Sequence, residues 1–158
     1  MTTIYKTKMD YYNHIQDEIT KTYEDAKANN DEETMEAART LMSTHLKVMA
    51  DLESQDFHTI YQAYRDAKAL GNDYPDLGET LFPSNTEAPV NVMRENNIEF
   101  FTFSSTWSGA LQVAQAFEKA GCTCIGMTEI HTRYIETSGE HAKAPALLFK
   151  VQGVNDND

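Results

Sequence analysis

Ser104, Ser105, Thr106 and Ser108 crowd the stretch "FFTFSSTWSGA" (100–110), where an aromatic strand gives way to a helix. Hydroxyls beside a helix start can hold an anion. The first backbone N–H groups there lack partners and carry the positive end of the helix dipole. Ser104, Ser105, Thr106 and Trp107 are therefore candidate ligand-binding residues for a phosphate or carboxylate. The simpler reading is that Ser and Thr cap the helix themselves and that Trp107 closes the core beneath it. The stretch contains no G-x-G-x-x-G, Walker lysine or G-x-S-x-G elbow.

Glu129, His131 and Arg133 alternate along "CTCIGMTEIHTRYI" (122–135), which places them on one face of a strand. Glu129 could orient His131 as a general base while Arg133 holds an anion, so His131 and Arg133 join the candidate ligand set. Cross-strand charge pairing on a solvated face accounts for the same row. An enzyme with Ser105 or Cys124 as nucleophile lacks any recognisable spacing, so no catalytic residue is nominated.

Cys122 and Cys124 make no disulfide framework, and on a strand they share a face in poor geometry for joining each other. A lone C-x-C falls short of the four ligands of structural zinc, and small reduced thiols are expected, with no metal and no cofactor. His45 and His58 stand in no metal-binding spacing. Met35, Met42 and Met49 recur every seven residues, as a core row does, with an adaptable partner-binding groove as the other reading.

The formal charge of −12 on 158 residues repels nucleic acid and anionic lipid. Its densest part runs through Asp17, Glu18, Glu24, Asp25, Asp31, Glu32, Glu33 and Glu36, against Lys21 and Lys27. Part of this run has structural work, since acids favour a helix N-terminus. As a ridge, it could imitate the phosphates of a nucleic acid and occupy a basic groove. These eight residues are the expected partner-binding set. The expected partner is a basic protein surface, as on a nucleic-acid-binding protein, with no direct nucleic acid and no membrane.

Helices must carry that ridge. Met9, Tyr12, Ile15, Ile19, Tyr23 and Ala26 keep a helical rhythm over 9–29, closed by Asn29-Asn30. Asn30, with Glu33 three residues on, is the expected cap of a second helix over about 31–53. Phe57, Ile60, Tyr61, Tyr64 and Ala67 mark a third, stopped by Gly71. Pro75, Gly78, Pro83 and Pro89 then make an irregular connection pinned by Leu81 and Phe82, with a short helix at 89–96. "IEFFTF" (98–103) reads as a strand. Residues 106–120 read as a helix with Trp107, Ala110, Leu111, Ala114 and Phe117 inward, ended by Gly121. Residues 122–135 and "APALLFKV" (144–151) read as two more strands around the turn "TSGEHAK" (137–143). The tail "NDND" should fray.

The fold expected is α+β: an N-terminal helical bundle of about three helices (1–72), a connection (73–97) and a small βαββ mixed sheet (98–152), together one compact domain. The first two strands should run parallel through a right-handed crossover, and the third antiparallel to the second. Leu, Ile, Val and Phe make up only about a fifth of the chain, near the range of disordered sequences, yet their periodic rows indicate a folded protein. Residues 1–12 lack the apolar run of a signal peptide, so a cytoplasmic location is expected. An exposed Tyr/Met face could also make a homodimer.

The segment "FTFSSTWSGALQVAQAFEKAGCTCIGM" followed by "APALLFKV" resembles small uncharacterised bacterial proteins similar to accessory proteins of phages and conjugative elements. The resemblance covers roughly 90–152 and carries no catalytic motif. It implies a protein that acts by binding host machinery, for instance as an inhibitor of a defence system.

Overall fold

A computed structural model describes residues 7–78 and 83–154 of the chain. Leu81, Phe82 and the tail "NDND" lie outside the described residues. The order is α1 (Lys8–Ala28), α2 (Glu32–Leu52), α3 (Gln55–Leu70), α4 (Glu87–Glu95), β1 (Phe100–Phe103), α5 (Ala110–Lys119), β2 (Cys122–Ile135) and β3 (His141–Val151). This is an α+β fold with three N-terminal helices ahead of a small sheet. The chain divides into two compact units, Met1–His58 and Thr59–Asp158. The division falls inside α3, whereas the composition changes at Gly71.

In the first unit α1 and α2 pack as a hairpin. Thr7 caps α1 by accepting from the Asp10 N–H at 3.1 Å. The expectation that Asn30 caps α2 is corrected by the turn. Asn30 sits in the left-handed region (φ +54°) and ends α1. Its N–H donates to Lys27 O (3.2 Å) and the Asp31 N–H to Ala26 O (2.8 Å), the paired closure of a Schellman motif. A left-handed residue cannot also take the extended backbone of an N-cap, so Asp31 caps α2. Its carboxylate accepts from Thr34 N–H (3.1 Å) and Thr34 Oγ1 (2.6 Å).

Met9, Tyr12, Ala26, Met35, Ala38 and Met49 are buried, so two of the three methionines of the row belong to the core, and Met42 between them is half-buried. Phe57 meets the Tyr12 ring edge-on at 5.8 Å. Tyr12 Oη donates to Glu53 Oε2 (2.9 Å) and Lys8 Nζ to Glu53 Oε1 (2.8 Å). Burial, reinforced by the Glu53 carboxylate, pushes the Tyr12 phenol up to about 12.

In the second unit the sheet order is β1-β3-β2, and both pairings are antiparallel. β1 and β2 therefore run in the same direction, as expected. They are not partners, because β3 inserts between them, and the strands form no mixed sheet. The β2–β3 hairpin pairs locally and then offers its far edge to β1. The side chains enforce the insertion. Phe101 stacks on Phe149 at 5.2 Å, and Phe117 of α5 meets Phe101 (4.9 Å), Phe149 (5.4 Å) and Phe103 (5.5 Å). Truncating one such ring to Ala typically costs ~3–5 kcal/mol.

α5 starts at Ala110, later than the expected 106, and buries Val113 and Phe117. Leu111, expected inward, is 79% exposed. Gln112, Gln115, Glu118 and Lys119 share one side of this helix and Leu111 falls within that side, while the opposite side meets the phenylalanine cluster. α4 is held by Arg94, whose guanidinium donates to Gln152 O (2.7 Å), Ala120 O (2.5 Å) and Asn91 Oδ1 (2.8 Å). Asn97 (φ +57°) ends α4 as Asn30 ends α1, with Ile98 N–H donating to Met93 O at 2.9 Å.

Pro145 reveals how the edges are arranged. β1 pairs only with residues 147–150 of β3, so Pro145 has a strand neighbour on one side alone. Its missing N–H makes Glu129–Pro145 a pair without hydrogen bonds, so Glu129 and, two residues on, His131 direct N–H and C=O away from β3. Asn72 meets that edge. Its Nδ2 donates to His131 O (3.0 Å) and its Oδ1 accepts from His131 N–H (2.8 Å), the bonds a neighbouring strand would supply.

Three residues later the same segment reaches the other edge. Pro75 O accepts from Thr102 N–H (2.9 Å), and Leu77 N–H donates to Thr102 O (2.8 Å), forming a parallel bridge between Asp76 and Thr102. Residues 72–77 are thus a strap that touches both outer strands, β2 through Asn72 and β1 through the Asp76 bridge. The strap begins correctly because Gly71 (φ +77°) ends α3 with Asn72 N–H bonded to Ala67 O at 2.8 Å.

Two stability outcomes follow from these closures. Asn30→Ala should lower the unfolding free energy by about 1 kcal/mol, and Asn30→Gly should not, in urea melts. Asn72→Ala leaves two backbone groups of His131 unpaired and should cost about 2 kcal/mol. Hydrogen exchange should show the His131 amide opening faster in that variant, while amides of α1 and α2 keep their protection.

Candidate functional site

Three places in the fold carry functional groups. The first is the acidic ridge. All eight carboxylates from Asp17 to Glu36 are exposed, around the closed end of the α1–α2 hairpin. Glu36 pairs with Arg39 at 3.0 Å, and Arg39 also donates to Tyr23 Oη at 3.3 Å. Asp31 is held below the usual carboxylate range by the Thr34 hydroxyl and N–H. Among the described residues no ion pair engages Glu18, Glu24, Asp25, Glu32 or Glu33. Further along α2, Leu41, Val48 and Leu52 form an exposed apolar stripe at helical spacing.

The second place is the junction after β1. The expected Ser/Thr caps are absent. α5 is entered through Gly109, with no side-chain cap bond. Trp107 folds over Gly109 so closely that a Cβ there would strike its ring. Ser104 Oγ donates to Asp76 Oδ2 and Thr102 Oγ1 to Asp76 Oδ1, both at 2.6 Å. Gly78 lies against this cluster, with no room for a side chain beside Asp76 and Ser104. Burial holds the Asp76 carboxyl above its ordinary range, against the two hydroxyl bonds that pull it down. The Ser104 hydroxyl is thus engaged by an acid of the strap, and that acid opposes a second anion nearby.

The third place is the row on β2, and it is not brought to the junction. The register sets His131 opposite Lys143 and Phe103 opposite Leu147, on different sides of β3. Glu129 lies 3.8 Å from Lys143, the cross-strand pairing that suits a solvated strand. Arg133 forms an ion pair with Asp66 of α3. Ser104, Ser105, Thr106 and Trp107 therefore gather at one end of β1, and His131 and Arg133 at the far edge of the sheet. Cys122 is buried and its thiol is pushed up to about 11 by that burial, against the nearby Arg94 charge. Cys124 is a half-buried free thiol. Among the described residues no three His, Cys, Asp or Glu side chains converge to hold a metal ion. No helix of the described residues is long and apolar enough to cross a membrane.

Residues 59–151 match the family described as a domain of unknown function, DUF7698. The chain belongs to the DUF7698 family. The match starts where the second compact unit starts and contains the strap, the phenylalanine cluster and Asp76. The acidic ridge precedes it. No curated protein and no solved structure matches the chain.

Asn72, Tyr74 and Asp76 went unnoticed in the sequence. They stand in a Pro/Gly-rich connection with no periodicity, and their partners are 26 to 59 residues away. The one available signal was a polar residue straight after a helix-ending glycine.

Asp76 gives a test with a fixed sign. Its folded-state pKa lies above the unfolded value, so its stabilising contribution is complete below the unfolded pKa and is lost as pH rises through the folded one. Asp76→Asn removes that loss. In urea unfolding the stability of the variant relative to wild type should therefore rise between pH 4 and pH 7. A relative stability that falls over that range would contradict the assignment.

Proposed function

We propose that this protein is a non-enzymatic interaction module that presents the ridge at the α1–α2 bend to a basic surface of another protein. The observation that carries this reading is the exposure of the eight carboxylates, of which Glu18, Glu24, Asp25, Glu32 and Glu33 enter no ion pair among the described residues. Magnitude supports it. The run spans ~17 Å of the hairpin at 1.5 Å per residue, and after Lys21 and Lys27 it carries roughly one uncompensated charge per 3 Å. Phosphates along one nucleic-acid strand follow every ~3.4 Å. A groove built for a polyanion would therefore meet a comparable line of charge.

The exposed stripe of Leu41, Val48 and Leu52 on the same helix adds apolar area, which charge pairing on a surface cannot replace. A nucleic-acid-binding protein of a host defence system is the partner class that fits both the charge and the resemblance to accessory proteins of mobile elements. Inhibition by occupation of its groove is the corresponding mechanism.

The test is capture by the immobilised full chain. Partner retention should fall steeply, by about tenfold or more, between 50 and 300 mM salt. Joint reversal of Glu24, Asp25, Glu32 and Glu33 to Lys should abolish it, with the helical circular dichroism intact. Retention of the same partners by the reversed variant would overturn the proposal.

A further inference from the structure

The second unit holds a cleft of about 270 Å³ beside the strap. Its aromatic walls are Tyr64 of α3, Tyr74 of the strap and Phe100 of β1, and the charged residues lining it are Asp73, Glu99 and Lys68. The Tyr74 and Phe100 rings lie 5.3 Å apart, tilted at 44°. All three aromatic residues are half-buried, and the Tyr64 ring is shared with Lys68. The volume is below that of ordinary metabolite pockets and suits a group the size of one side chain.

The chemistry of the walls selects a cation. Aromatic faces carry negative potential, and the lining carboxylates add to it. The protein already uses this attraction: the Lys68 ammonium sits 4.5 Å above the Tyr64 ring, and Lys150 lies 3.6 Å from Glu99. We infer that this cleft binds a guanidinium group, the planar cation that can stack on the Tyr74 and Phe100 faces while donating to a lining carboxylate. The site is independent of the acidic ridge, shares no residue with it and lies within the family segment.

The experiment is a titration of the ¹⁵N-labelled full chain with ethylguanidinium chloride, with uncharged N-ethylurea as control. Ethylguanidinium should shift the amides of Asp73, Tyr74 and 97–100 and saturate at about millimolar concentration. Asp73→Asn, an exposed substitution that leaves the fold alone, and Tyr74→Leu should each weaken binding by about fivefold or more. Lys68→Met, which clears the Tyr64 face, should tighten it. N-acetyl-Gly-Arg-Gly-amide distinguishes the sources: tighter binding than the free ion marks a protein arginine, and equal binding marks a small guanidinium compound. Equal shifts with N-ethylurea, or undiminished binding by Asp73→Asn, would overturn the inference. Either result leaves the charge-reversal test of the ridge unaffected.

Discussion

Two outer sheet edges, each met at one residue by one short strap, are the constraint on which the second unit depends. Three strands make a marginal sheet, and each outer strand exposes a row of N–H and C=O groups open to any other strand. Residues 72–77 answer both problems. Asn72 imitates a strand residue at the β2 edge, and Pro75 to Leu77 add a brief parallel bridge at the β1 edge. The strap must reach both outer strands, so the exit from α3 has to be fixed in direction. Gly71 fixes it.

The same constraint explains an otherwise awkward residue. Proline in a central strand normally removes a ladder bond. β3 is central only where β1 covers it, and Pro145 lies beyond that stretch. Its position sets the phase of the β2–β3 ladder, and this phase turns the His131 backbone outward for Asn72. Asp76 is then a consequence of the strap. A carboxyl half-buried against β1 must find donors, and Thr102 and Ser104 supply them. Of the hydroxyls that looked like a helix cap or an anion cradle, Ser104 serves to hold the strap.

Charge and family lie in different parts of the chain. The ridge occupies α1 and α2, ahead of the matched residues, while the strap, Asp76 and the aromatic cleft fall inside them. A role for the ridge would thus be particular to the N-terminal unit of this chain. A role for the cleft would belong to the segment it shares with its family. Both surfaces are proposed to take cations, one through many solvated charges and the other through aromatic faces with a few carboxylates. The first depends strongly on salt, and the second much less.

The helices and strands were legible because their signals are local. Rows such as Met35–Met42–Met49, the stop at Gly71 and the turn around Gly139 act within a few residues, and so does the exposure of a charged hairpin end. Local signals also misled where two turns competed for one residue. Asn30 could cap one helix or close another, and the Asp31 side chain decided it. Strand order and the partners of Asn72, Asp76 and Ser104 were settled only by tertiary structure. They depend on which edge remains free after the hairpin forms and on where four phenylalanines meet, and neither leaves a period or a spacing in the sequence.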